Sequence, residues 1–101
     1  MMFFLRKRGE KALLAAARLG HTDTVKALLA KGTNVNATDH HDITALMLAA
    51  ANGHSDTVKA LLAEGAEIHA KDASDWTALR YSVHRGHTET VQLLKQVGAK
   101  E

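Results

Sequence analysis

Seven histidines and no cysteine set the chemical question for this chain of 101 residues. Imidazole is the commonest metal ligand and a frequent general base, so the first test is whether spacing lets any of them act together. His21, His54 and His87 follow one another at intervals of 33 residues, each directly after a glycine. If each opens a helix of its own in a packed stack, neighbouring copies lie about 8 to 10 Å apart. Zinc holds nitrogen ligands at about 2.0 to 2.1 Å, so the three cannot share an ion. Their expected role is structural, each tying its turn to a neighbouring backbone group. His40 and His41 are adjacent on a turn, with His84 at a helix end one unit later. They form either an adventitious metal site or plain contact residues. With no carboxylate or cysteine at ligand spacing, no metal is assigned.

Other catalytic patterns are missing too. Ser55, Ser74 and Ser82 are the only serines, and none lies in a Gly-x-Ser-x-Gly elbow. There is no His-Glu-x-x-His and no glycine-rich phosphate loop. The chain is therefore read as non-enzymatic, with no catalytic residue and no cofactor.

The elements that carry these histidines repeat. The stretch Gly53 to Gly65 reappears almost unchanged at Gly20 to Gly32 and more loosely at Gly86 to Gly98. A fixed period of this size marks a stacked repeat array. Val58, Leu61 and Leu62 are separated by three and four, which puts them on one helical face between two punctuating glycines. A helix of two to three turns is unstable alone in water, so its copies must stack. Aromatics make up only 4% of the chain while alanine and leucine dominate, so the interior is expected to form by close approach of thin helices.

The apolar share, 46%, is ordinary for a soluble globular chain, and the length suits one domain, residues 1–101. At the start the apolar run precedes Arg6-Lys7-Arg8, the reverse of a secretory signal, and no segment reaches the roughly 18 apolar residues of a membrane span. The reading is a soluble, cytoplasmic protein. Net charge is +2, a weak basic bias spread along the chain.

The period divides the chain into units of about 6–38, 39–71 and 72–101 after an extension, 1–5. Each unit reads as a polar turn, a helix, a glycine turn, a second helix and a longer connection. Asp39-His40-His41-Asp42 is turn chemistry, Thr44 is expected to cap the next helix, and Asn52-Gly53 to stop it. The following helix starts near Ser55, with Asp56 at the positive end of its dipole.

Thr44-Ala45-Leu46 and Thr77-Ala78-Leu79, Ala49-Ala50 before Gly53-His54, Val58-x-x-Leu61-Leu62, and Gly65-Ala66-x-Ile68-x-Ala70 together resemble the ankyrin repeat family. The resemblance covers about residues 6–101. It implies an all-α solenoid of stacked antiparallel helix pairs joined by hairpin-like turns. The chain departs from the family pattern at Ala45 and Ala78, where proline is usual, and at Met47 and Arg80, where histidine is usual. Asp42 and Asp75 occupy the usual hairpin glycine, which only the first unit keeps, as Gly9.

The ends read as caps. Lys95 stands where Leu29 and Leu62 stood, and Tyr81 replaces Leu48, expected to bury its ring edge with its hydroxyl in water. Phe3, Phe4 and Leu5 are expected to fold over the exposed side of the first unit.

The resemblance also implies that partners contact the turn tips and the exposed side of the first helix of each pair. The matching positions are Thr38, His40, His41, Ile43, Ala51 and Asn52 in the second unit. In the third they are Lys71, Ala73, Ser74, Trp76, His84 and Arg85, with Arg18 and Leu19 extending the surface into the first. Independently of the resemblance, these are the positions where the units differ most, since packing demands repetition and recognition does not. Trp76 is the expected anchor, with Ile43 its counterpart, because tryptophan is enriched among residues that dominate binding energy. The alternative is that Trp76 folds onto its own turn and shields the stack. Arg80, His84 and Arg85 form a basic patch beside it, either part of the site or a solvated cap.

The function this supports is a non-enzymatic module binding an unidentified partner protein. Two alternatives stand beside it: a polyanion site, nucleic acid or an acidic membrane, on the scattered basic residues, and a structural or engineered scaffold with no natural partner. A monomer is favoured, with end-to-end self-association open because three units are near the minimum for stability.

Overall fold

The computed structural model describes residues 2–101, with side chains from Arg8 onward. Six helices follow in order: α1 Met2–Leu19, α2 Thr22–Ala30, α3 Ala45–Ala51, α4 Ser55–Ala63, α5 Ala78–His84 and α6 Thr88–Gln96. They pack in sequential pairs, and the pairs stack so that α1, α3 and α5 form an inner layer and α2, α4 and α6 an outer one. The stack measures 41 × 27 × 21 Å. This is the expected all-α solenoid of stacked antiparallel helix pairs.

Alanine makes the stacking possible. In the inner layer Ala16, Ala17, Ala45, Ala49, Ala50 and Ala78 are all buried, so helices approach with little more than a methyl group between them. Leu13, Leu46 and Leu79 fill the space between layers, opposite Val25, Val58, Leu61 and Leu94. Hydroxyls pin the outer helices to one another, Thr22 to Thr57 at 2.7 Å and Ser55 to Thr90 at 2.8 Å. A buried hydroxyl needs a partner, and here each junction supplies one from the adjacent unit.

Thr44 caps α3, its hydroxyl accepting the Met47 N–H at 3.2 Å, and Thr77 caps α5 through the Arg80 N–H at 3.2 Å. Asp42 and Asp75, in the places of hairpin glycines, have φ of 62° and 65°. Aspartate tolerates this left-handed geometry better than most residues, which is why these turns close without glycine. In each hairpin the carboxylate three residues earlier locks the loop: Asp39 Oδ1 accepts the N–H groups of His41 and Ile43, and Asp72 Oδ1 those of Ser74 and Trp76. The two hairpins join through the Ala73 N–H and the His41 carbonyl at 3.0 Å.

The first unit departs from the expected pattern. There is no hairpin at Arg6-Lys7-Arg8-Gly9-Glu10; α1 runs through it from Met2, and Gly9 is helical. The segment lacks a locking aspartate and consists mostly of good helix formers, so nothing stops the helix. Gly9 instead admits Thr33, whose Oγ1 would lie 3.0 Å from any β-carbon there. The packing expected of Phe3, Phe4 and Leu5 concerns side chains outside the described residues.

At the last unit the repeated core positions change character. Arg80 stands in register with Leu14 and Met47, and Val83, 43% exposed, with the buried Ala17 and Ala50. Lys95, in register with Leu29 and Leu62, is exposed and pairs with Glu101 at 3.2 Å.

Two of the three repeated histidines, His54 and His87, do the structural work expected of them, while the exposed His21 makes no such bridge among the described residues. His54 Nε2 lies 3.0 Å from the Arg18 carbonyl and His87 Nε2 3.0 Å from the Ala51 carbonyl. A carbonyl only accepts, so Nε2 carries the proton in both. Each ring thereby satisfies a C-terminal carbonyl of the preceding inner helix, one of the groups a helix leaves without an internal partner. The rings pass directly over Gly20 and Gly53, where a β-carbon would come within 2.6 Å of ring atoms.

Gly53 and Gly65 therefore separate two constraints. Both have positive φ, but around Gly65 a β-carbon would meet nothing within 4 Å. Gly65→Ala should cost about 1–2 kcal/mol from backbone geometry alone. Gly53→Ala should cost about 1 kcal/mol more, because the His87 ring must swing away and lose its hydrogen bond. Urea denaturation of both variants in the native and His87→Ala backgrounds checks this; the extra cost should vanish when the ring is absent.

Candidate functional site

Some of the residues expected at the turn tips and inner helices gather into two groups, and the rest lie exposed around them. The first surrounds Trp76. The ring lies along α5 and is half-buried, with Tyr81 at 5.0 Å between centroids, His84 edge-on at 5.1 Å, and the Arg80 guanidinium carbon 4.5 Å from its centroid. Of the two expected arrangements, this is the one in which tryptophan folds back onto its own unit. The indole is fixed there by aromatic edges and a cation over the ring, each a modest attraction.

Tyr81 corrects its expectation. Its hydroxyl is not left to water but donates to Asp72 Oδ2. Asp72, 6% exposed, thus receives Ser74, Trp76 and Tyr81 together. Burial pushes its carboxyl up, but the hydrogen bonds from the Tyr81 hydroxyl and the two backbone amides outweigh this and hold it below the ordinary 3.8. The Tyr81 phenol is pushed up to about 12, first by the bond to Asp72, then by burial and the Asp72 charge, against a smaller opposing pull from Arg85.

The second group lines a groove of about 260 Å³ across all three inner helices, with Arg18 from α1, Ile43, Met47, Leu48, Ala51 and Asn52 from around α3, and Tyr81 and Arg85 from α5 and its end. The floor is apolar and an arginine belongs to each flanking unit. Asn52 Nδ2 donates to the Leu48 carbonyl at 2.8 Å. Ala51 is 7% exposed, so its side chain offers almost no surface; its carbonyl is the one taken by His87. Burial follows from the alanine-dense packing of α3.

Leu19, 55% exposed, stands at the end of α1. Thr38, His40, His41, Lys71, Ala73 and Ser74 are exposed around the hairpins. The rings of His40 and His41 meet at a tilt of 45° with centroids 4.0 Å apart, while His84 rests on Trp76 rather than joining them. Among the described residues no group of three or more histidine, aspartate or glutamate side chains is placed to hold a metal ion. Leu48, Met47 and Tyr81 belong to the groove but were not expected there. The signal was available, since Leu48 and Tyr81 precede Asn52 and Arg85 by four residues and so share their helical face.

The Asp72–Tyr81 bond has a clean readout, because Tyr81 is the only tyrosine. Ultraviolet titration should show ionisation near pH 12, falling toward the ordinary 10.0 in Asp72→Asn. Since ionisation breaks the bond, its stabilisation is fully present below about pH 10 and lost as pH rises toward 12. On the acid side the Asp72 contribution is present above 3.8 and lost as pH falls through its lowered value.

Among the described residues no helix is long and apolar enough to cross a membrane. Comparison with curated proteins gives no match. A family model for ankyrin repeats in three copies matches residues 2–72, and a second for ankyrin repeats in many copies matches residues 53–94. The matches reach from the first helix into the last, over the same helix pairs, glycine turns and histidine bridges that build the stack. The chain belongs to the ankyrin repeat family.

Proposed function

We propose that the chain binds a partner protein along the inner-helix groove and the hairpin tips beside it. Ankyrin repeats generally serve as protein–protein interaction modules and are typically non-enzymatic. The observation that carries the reading is the groove itself, which gathers Arg18, Ile43, Asn52 and Arg85 from three successive units onto one apolar-floored surface. These positions vary between units, while the outer helices repeat nearly the same residues. A surface held by packed helices is also already ordered, so little conformational freedom is lost on association. The half-buried Trp76 extends this surface toward the hairpins as a fixed aromatic wall.

Affinity capture from lysate, with the native chain set against Ile43→Ala, Trp76→Ala and against Leu19→Glu, tests the site. The double variant should retain at least tenfold less of the specific partner, with helicity unchanged by circular dichroism. Leu19→Glu alters an exposed position without touching the core and should also reduce retention. Equal retention by all three would move the interface off this surface.

A further inference from the structure

The two layers carry different charge. The outer helices hold three acids, Asp23, Asp56 and Glu89, against three lysines. The inner helices hold six bases and a single acid, Glu10, two turns before Arg18 on α1. Two carboxylates beside the groove's Tyr81, Asp39 and Asp72, are engaged with the hairpins while keeping their charge. Asp39 accepts two backbone N–H groups, and Asp72 accepts two more together with the Tyr81 hydroxyl. The cations are not: among the described residues the ion pair is Lys95 with Glu101, and neither Arg18 nor Arg85 has a carboxylate within salt-bridge distance. Two exposed guanidinium groups therefore flank an apolar floor with no salt-bridge partner of the chain's own.

We propose that this groove takes an acidic peptide segment, one apolar side chain filling the hollow over Leu48 and Tyr81 and carboxylates on either side pairing with Arg18 and Arg85. The proposal rests on the inner-helix surface being a protein interface and adds the chemistry of what it recognises. Guanidinium and carboxylate match in a planar, two-bond geometry that a lysine cannot reproduce. At about 260 Å³ the hollow is below the range of about 300–1,000 Å³ typical of small-molecule sites and suits a single side chain. Nucleic acid fits it poorly. A phosphate backbone calls for a track of cations and open aromatic faces for bases, whereas here two cations bracket an aliphatic floor and Tyr81 is fixed through Asp72.

The test is selection of a random twelve-residue peptide library displayed on phage against the intact chain, followed by fluorescence anisotropy with the enriched peptides at about 150 mM salt. Enriched sequences should be net acidic, with one apolar residue between acidic ones. Arg18→Glu, Arg85→Glu should weaken them about a hundredfold, about tenfold or 1.4 kcal/mol per arginine. Arg18→Lys, Arg85→Lys should recover only part of this, and Lys59→Glu on the outer helix should change nothing. Neutral or basic peptides whose binding is lost in Leu48→Arg would overturn the acidic chemistry while leaving the groove as an interface. Peptides indifferent to both the arginine pair and Leu48→Arg would overturn both. Tighter binding of single-stranded DNA or phosphatidylserine vesicles than of any selected peptide, lost in Arg18→Glu, Arg85→Glu, would reassign the surface to polyanions. A selection that enriches nothing overturns the proposal.

Discussion

Everything in this stack depends on how one unit grips the next, and the grip is a histidine laid over a glycine. The ring begins a helix of one pair and closes the helix of the pair before it, with Nε2 of His54 and His87 on the carbonyls of Arg18 and Ala51. Two demands meet at Gly20 and Gly53, a left-handed backbone and room for the ring. Only glycine satisfies both. The hydroxyl pairs on the outer layer then fix the second line of contact, so each junction is held along two lines rather than hinged about one.

This arrangement divides labour between residues. Positions that face a neighbouring unit are mostly alanine, leucine, valine or a small hydroxyl, with Met47 the one longer side chain, because the helices stand so close. Positions on the groove and at the tips of the hairpins are under no such constraint and are where charge and aromatic surface accumulate. Asp39 and Asp72 connect the two classes, each folding a hairpin tip through the backbone N–H groups that its carboxylate accepts.

Much of this was legible in the sequence, and the reasons differ by residue. The period, the helix pairs and the caps at Thr44 and Thr77 could be read because each rests on local chemistry repeated in register. The histidine bridges were legible in kind, by excluding metal on distance. The first hairpin was misread because Gly9 resembles a turn residue when only register is considered; what decides is the missing aspartate and the helix-forming neighbours. The site was harder. Ala51 adjoins Asn52 in sequence but is turned about 100° from it around the helix, and its burial depends on how near α1 and α5 stand, which no single segment encodes. The Tyr81 hydroxyl finds Asp72 nine residues away across a hairpin, a tertiary pairing invisible to periodicity.

The placement of the chain's only tryptophan and only tyrosine, side by side in the third unit, decides what light can report about this molecule. In a linear array the middle unit is clamped by two neighbours and a terminal unit by one, so opening begins at an edge. Intrinsic fluorescence thus watches the third unit and is blind to the first. A melting curve followed by emission reports the opening of the third helix pair, and its disagreement with a helicity curve measures how far cooperativity extends along three units.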